Sequence, residues 1–173
     1  MTEEKKTTKK EAPAVIDPSS DEIVKLIRKR ANYAAGVGIL GLPFINFFGV
    51  TAIQVEMVKS LCAKYDKTFN ETAIKNIISG LISGGGATLA SPVVETVAIA
   101  IPVIGLPLAI ATKPVLNGLT TYALGHVFAT HFANGGSLIG VAMDELAKSF
   151  SSALQEARKK MAGVIAGKQP EAA

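Results

Sequence analysis

Residues 31–55, ANYAAGVGILGLPFINFFGVTAIQV, contain no Asp, Glu, Lys or Arg, and the reading of this stretch decides the fold. It is long enough to cross a hydrocarbon core, which needs about 20 apolar residues. However, Gly41-Leu42-Pro43 stands near its middle, and proline removes a backbone donor and clashes with the preceding helical turn. The choice lies between one straight span and two short helical arms. Charge decides it. Lys25, Arg28, Lys29 and Arg30 precede the stretch, while Lys59, Lys64, Lys67 and Lys75 outnumber Glu56, Asp66 and Glu71 after it. Basic flanks favour the cytoplasmic side of a membrane, so a segment with two such flanks enters and returns as a hairpin.

Outward from this stretch, Ser19-Ser20 before Asp21-Glu22 places capping side chains and acidic residues at the positive end of a helix dipole. Residues 1–20 are rich in Lys, Glu, Thr and Pro and read as a disordered polar tail. They lack the early apolar core of a secretory signal. On the other side, Val55, Val58, Leu61, Cys62 and Tyr65 form an apolar stripe at helical spacing, and residues 66–70 read as a turn into the next helix. A second apolar region follows, with Gly84-Gly85-Gly86 at its start and Pro102 to Pro107 in its middle. It reads as another hairpin, with arms at 88–101 and 108–124. Gly80 and Gly84, four apart, suit close helix approach. From Ser137 to Ala166, Ile139, Ala142, Leu146, Phe150, Ala153, Ala157, Met161 and Val164 line one side, as in a long amphipathic helix. That helix either covers the body of the domain or serves a partner or interface, with Arg158-Lys159-Lys160 near anionic lipid.

The expected fold is therefore all-α, a helical bundle with two Gly/Pro-broken apolar hairpins and a long C-terminal amphipathic helix. One domain spans 21–166, followed by a flexible tail at 167–173.

The composition fits this picture. Of 173 residues, 49% are hydrophobic and 18% charged, against about 25% charged in an ordinary soluble chain. The mean hydropathy is +0.35. Disorder throughout is excluded by this apolar content, and an intrachain disulfide by the lone Cys62. The net charge of +4 lies mostly towards the two ends, which argues against nucleic acid.

Candidate chemistry is sparse. Gly36 to Gly41 matches a dinucleotide-binding pattern, but a helix precedes it and Pro43 follows at once, so packing or a bend explains the glycines better. His126 and His131 are five apart, about 140° around a helix, which suits a polar spot in the bundle rather than a shared metal. Glu95 and Lys113 stand nine residues either side of residue 104 and form a candidate structural or membrane pair, since a lone charge at membrane depth is costly. Cys62 reads as a buried apolar residue. No acid, base and nucleophile converge, so no catalytic residue, cofactor or metal is expected.

Four pieces together resemble a known group: AGVGILGLPF, the helix AIQVEMVKSLCAKYD, the Pro/Gly-broken apolar middle and LTTYALGHVFATHFANGGSL at 119–138. They look like the YcjF-type membrane-associated domain of unknown function, found beside or fused to bacterial Era-like GTPases. The resemblance covers roughly residues 27–140. Its most specific positions are Thr121, Tyr122, Gly125, Phe132, Gly135 and Gly136. It implies a bacterial inner-membrane protein that works with a GTPase. This chain has no phosphate-binding loop of its own.

The function expected is that of a non-enzymatic structural or adaptor protein at the cytoplasmic face of the inner or an internal membrane, both termini cytoplasmic. Lys25, Arg28, Lys29 and Arg30 form its candidate lipid-facing cluster. Expected partners are membrane lipids, a GTPase or other cytoplasmic protein, and a further copy of the chain in a homo-oligomer. The alternatives are a conditionally inserting, bacteriocin-like pore and a wholly soluble helical assembly protein.

Overall fold

The computed structural model describes residues 16–39, 43–89 and 105–166. These form five helices in chain order: α1 (Asp21–Ile39), α2 (Pro43–Lys64), α3 (Glu71–Leu89), α4 (Gly105–Ala133) and α5 (Met143–Ala166). The all-α bundle is as expected. The uncharged stretch, however, is not a unit of its own. Its first part continues the charged start of α1, and its second part leads into the amphipathic end of α2. Proline at the start of α2 is favourable, because a first-turn N–H has no helical acceptor to lose.

Local chemistry sets the helix ends. Before α1, the Ser19 N–H and hydroxyl both donate to Asp17 Oδ1, at 2.8 and 2.7 Å. Ser20 caps α1 through its backbone carbonyl, which accepts from the Val24 N–H. The capping expected of both serine side chains is thus corrected: Ser19 closes a turn on Asp17, and the Ser20 hydroxyl has no partner among the described residues. α2 ends where Lys67 N–H donates to Cys62 O, with Asp66 left-handed at φ 52°. Asn70 then caps α3, accepting from Ala73 N–H at 2.9 Å. α4 closes with two bonds, Gly135 N–H to Phe132 O and Gly136 N–H to His131 O, around Gly135 at φ 86°. This is a Schellman ending, which glycine adopts without a Cβ penalty.

Two expectations about boundaries change. The last helix begins at Met143 rather than Ser137, because the Schellman turn and Gly140 at φ 72° keep residues 134–142 non-helical. Ile139, counted in the apolar line of that helix, is instead 83% exposed in the loop. α4 runs from Gly105 to Ala133 with Pro114 inside it, longer than the arm expected at 108–124. Of the other arm, expected at 88–101, residues 88–89 end α3, and the rest lies outside the described residues.

Contacts between named residues give the helix directions. α1 and α2 are antiparallel: Glu22 pairs with Lys64 near one end, and Gly49 lies against Val37 near the other. α1 and α4 are also antiparallel, matching Ile27 with Gly125, Ala35 with Gly118 and Gly38 with Pro114. α2 and α4 are parallel, joined by Gln54 to Thr121 and Tyr65 to Phe132. α5 packs on α4 and α3.

The core gathers at the charged end of the bundle. Ile23 and Ile27 of α1, Met57 and Leu61 of α2, Ile74, Ile78 and Leu81 of α3, Leu124 and Phe128 of α4, and Phe150 of α5 are fully buried. On α1 to α4 these residues repeat at three or four, one face of each helix. Ile16 packs against this core as well.

Candidate functional site

α4 carries most of the family-like residues, and the structure gives each a local task. Gly125 is buried where α1 crosses α4. A Cβ there would stand 2.7 Å from Ile27 Cγ2 and 3.0 Å from Met57 Sδ, so a larger residue would force the helices apart. Thr121 is fully buried, and its hydroxyl accepts from Gln54 Nε2 at 3.1 Å. Tyr122 packs against His126 with the rings tilted by 59° and their centroids 4.4 Å apart. Phe132 joins the core between Tyr65 and Phe128. Gly135 supplies the left-handed turn, and Gly136 lies directly under the His131 ring. Gln54 was not anticipated; a polar residue in an uncharged stretch gives no sign of its buried partner.

Above Gly125 the α1–α4 seam is built from small residues. A Cβ on Gly38 would lie 2.8 Å from Pro114 Cα, and one on Gly118 3.3 Å from Ala35 Cβ. Gly36 and Gly38 of the dinucleotide-like pattern thus sit inside a helix, and Gly38 serves close packing. At Gly80 the nearest atom to such a Cβ is Met143 Cε at 3.0 Å, so this glycine faces the start of α5.

Two grooves flank α4. The first, of about 670 Å³, runs between α4 and α5 and is the more polar: Tyr122, His126, Thr130 and His131 stand on one wall beside Val127, and Glu145, Ser149, Glu156 and Lys160 on the other beside Leu146. His126 and His131 both border it, although they leave α4 in different directions. His131 Nε2 lies 3.0 Å from Ser137 O. His126 Nε2 is buried with no hydrogen-bond partner among the described residues. Burial, then the Lys160 charge, lowers the His126 pKa, while Glu156 opposes this. Glu156 and Lys160 pair at 2.7 Å. Among the described residues no group of three or more His, Cys, Asp or Glu could hold a metal ion.

The second groove, of about 430 Å³, lies between α1, α4 and α5 and is mostly apolar. Ala31 and Ala35, Pro114 and Val115, and Ala157 and Met161 form its walls, with Arg28 and Lys160 as its cations.

Of the candidate basic cluster, Lys25, Arg28 and Lys29 stand three and four residues apart on one exposed face of α1. Lys25 pairs with Asp21 at 3.7 Å, Lys29 stands 5.9 Å from the Tyr33 ring centre, and Arg28 opens on the second groove. Arg30 is half-buried on another side of α1. Cys62 is buried, and burial pushes its thiol pKa up. Glu95 lies outside the described residues, and with it the pair to Lys113.

The uncharged parts of α1, α2 and α4 meet at one end of the bundle, opposite the large-residue core. There Ile39 is 74% and Phe48 67% exposed. No helix among the described residues is long and apolar enough to cross a membrane.

Comparison with known proteins adds one relationship. The chain is 28% identical over 171 residues to magnetosome membrane protein 22 of Magnetospirillum gryphiswaldense, an alignment covering 94% of this chain and 87% of that protein. No protein-family model matches, and no solved structure matches.

Proposed function

We propose that this chain is a non-enzymatic, membrane-associated structural protein that meets a bilayer with the uncharged end of its bundle. The observation carrying this reading is that three helices bring uncharged segments to one end, where Ile39 and Phe48 stand exposed. Water-exposed side chains of this size each gain about 1.5–3 kcal/mol on full burial. The Magnetospirillum relative, a membrane protein by its name, supports the same reading. The membrane is the inner membrane or an internal one, such as that enclosing a magnetosome, with both termini on the cytoplasmic side. The opposite, charged end then faces the cytoplasm, free to receive a protein partner. A GTPase is the partner implied by the YcjF-type resemblance, and this half of the reading rests on that resemblance.

Flotation of the full chain with vesicles of phosphatidylcholine and phosphatidylglycerol tests the membrane half. The wild type is expected to float, and the Ile39→Ser/Phe48→Ser variant, checked to be folded by its helical circular dichroism, to lose at least about tenfold in partitioning. A wild-type chain that stays in the soluble fraction would sink the reading in favour of a soluble assembly protein. Release of trapped dye from the same vesicles would replace it with a pore.

A further inference from the structure

The groove between α1, α4 and α5 differs from the polar one in its lining and its polarity along the bundle. Among the described residues no Asp or Glu lines it. Arg28 and Lys160 mark its lower part, while Ala35, Pro114 and Val115 line the part towards the uncharged end. This order follows from the antiparallel seam: Gly38 of α1 is level with Pro114 of α4, and Ile27 is level with Gly125. Arg28 therefore sits where the apolar walls give way to the charged half. Arg28 makes no ion pair among the described residues. Lys160 lines both grooves and is paired with Glu156 at 2.7 Å, so Arg28 is the cation of this groove whose charge is not already met. The volume of about 430 Å³ falls within the range of small-molecule sites.

We infer that this groove holds a single anionic membrane lipid, its headgroup on Arg28 and Lys160 and an acyl chain along Ala35, Pro114 and Val115. The inference rests on the membrane reading above and names the lipid that reading would select. Charge complementarity decides the occupant. The unpaired Arg28 guanidinium repels a zwitterion's ammonium and attracts phosphate, the Lys160 ammonium shared with Glu156 adds a weaker pull, and an apolar channel leading from them to the membrane end accepts a chain anchored in the bilayer. Guanidinium can hold phosphate by two parallel hydrogen bonds, and the lysine adds a second charge.

The chain has no tryptophan, so Val115→Trp supplies a single reporter in the apolar part of the groove. Asn32→Trp on the facing wall serves if the first does not fold. The full chain is bound to vesicles of phosphatidylcholine and phosphatidylglycerol at a fixed four-to-one ratio, with equal amounts of bromine placed on the acyl chains of one lipid or the other. Surface charge is then the same in both sets. Bromine on phosphatidylglycerol is expected to quench the tryptophan more strongly, Arg28→Gln to reduce that selectivity by about fivefold, and Lys160→Gln, whose charge is shared with Glu156, to reduce it less. Removing two charges elsewhere, by Lys148→Gln/Lys159→Gln, should leave it intact. Equal quenching by both lipids on a chain that floats overturns the lipid site while the membrane reading stands. Quenching by neither on a floating chain overturns it in favour of a groove covered by the chain itself. A chain that does not float overturns both.

Discussion

Gly36 and Gly38 show how much a single position is worth in this chain. Both lie in α1 two residues apart, yet a Cβ on Gly36 meets nothing within 4 Å, while one on Gly38 meets Pro114 backbone at 2.8 Å. Gly36→Ala should therefore stabilise the fold by about 0.5–1 kcal/mol through helix propensity. Gly38→Ala should instead destabilise it by about 1–3 kcal/mol, because backbone cannot give way as a side chain can. Urea unfolding of the two variants checks both signs. His126 sets a pH dependence. Its pKa in the fold is lowered from the ordinary 6.5, mainly by burial, so the unfolded chain binds its proton more readily. The stability this contributes is present above about pH 6.5 and is lost as the pH falls towards the folded value. Wild-type melting temperature should drop between neutral and mildly acid pH, and His126→Gln should flatten that slope. Glu156 and Glu71, whose pKa values are lowered by their Lys160 and Lys75 partners, lose their contributions only at more acid pH.

At the scale of elements, helix endings decide what periodicity leaves open. α2 and α4 end in the same six-to-one bond, but α4 places Gly135 at the left-handed position and α2 places Asp66 there. Asp66→Gly should raise stability by about 1 kcal/mol, and Gly135→Ala should lower it by about 1–2 kcal/mol. Thermal melts of both variants, measured together, test whether the two endings are equivalent. The turn at 66–70 was legible, because Asp and Asn flank it and Asn70 is a strong cap. The start of α5 was not. Ile139 and Ala142 continue its apolar line in sequence, and the line breaks because the Gly135-Gly136 ending turns the chain before it. The partner of that line is legible once Met143 is the start: Leu146, Phe150, Leu154 and Ala157 are all buried against α3 and α4.

For the molecule as a whole, one cluster of buried residues draws on all five helices, so the described body should unfold in a single cooperative transition. Phe128→Ala at its centre should cost about 3–5 kcal/mol, and calorimetric and spectroscopic melts should coincide for wild type and variant alike. Among the described side chains the large buried residues thus concentrate at the charged end, while the α1–α4 seam beyond them uses small-residue contacts such as Gly38 on Pro114. Much of this was determined by the sequence itself. The all-helical class, the helix starts at Asp21 and Glu71 and the burial of Cys62 follow from capping, spacing and hydropathy, which are local properties. The tertiary structure decided that Gly125 seats Ile27, that Thr121 answers Gln54, that His126 and His131 share a groove, and that Arg28 and Lys160 meet across an apolar channel. Each of these joins residues on different helices or different helix faces, and such pairings are set by the direction and depth at which the helices pack, which no local pattern encodes.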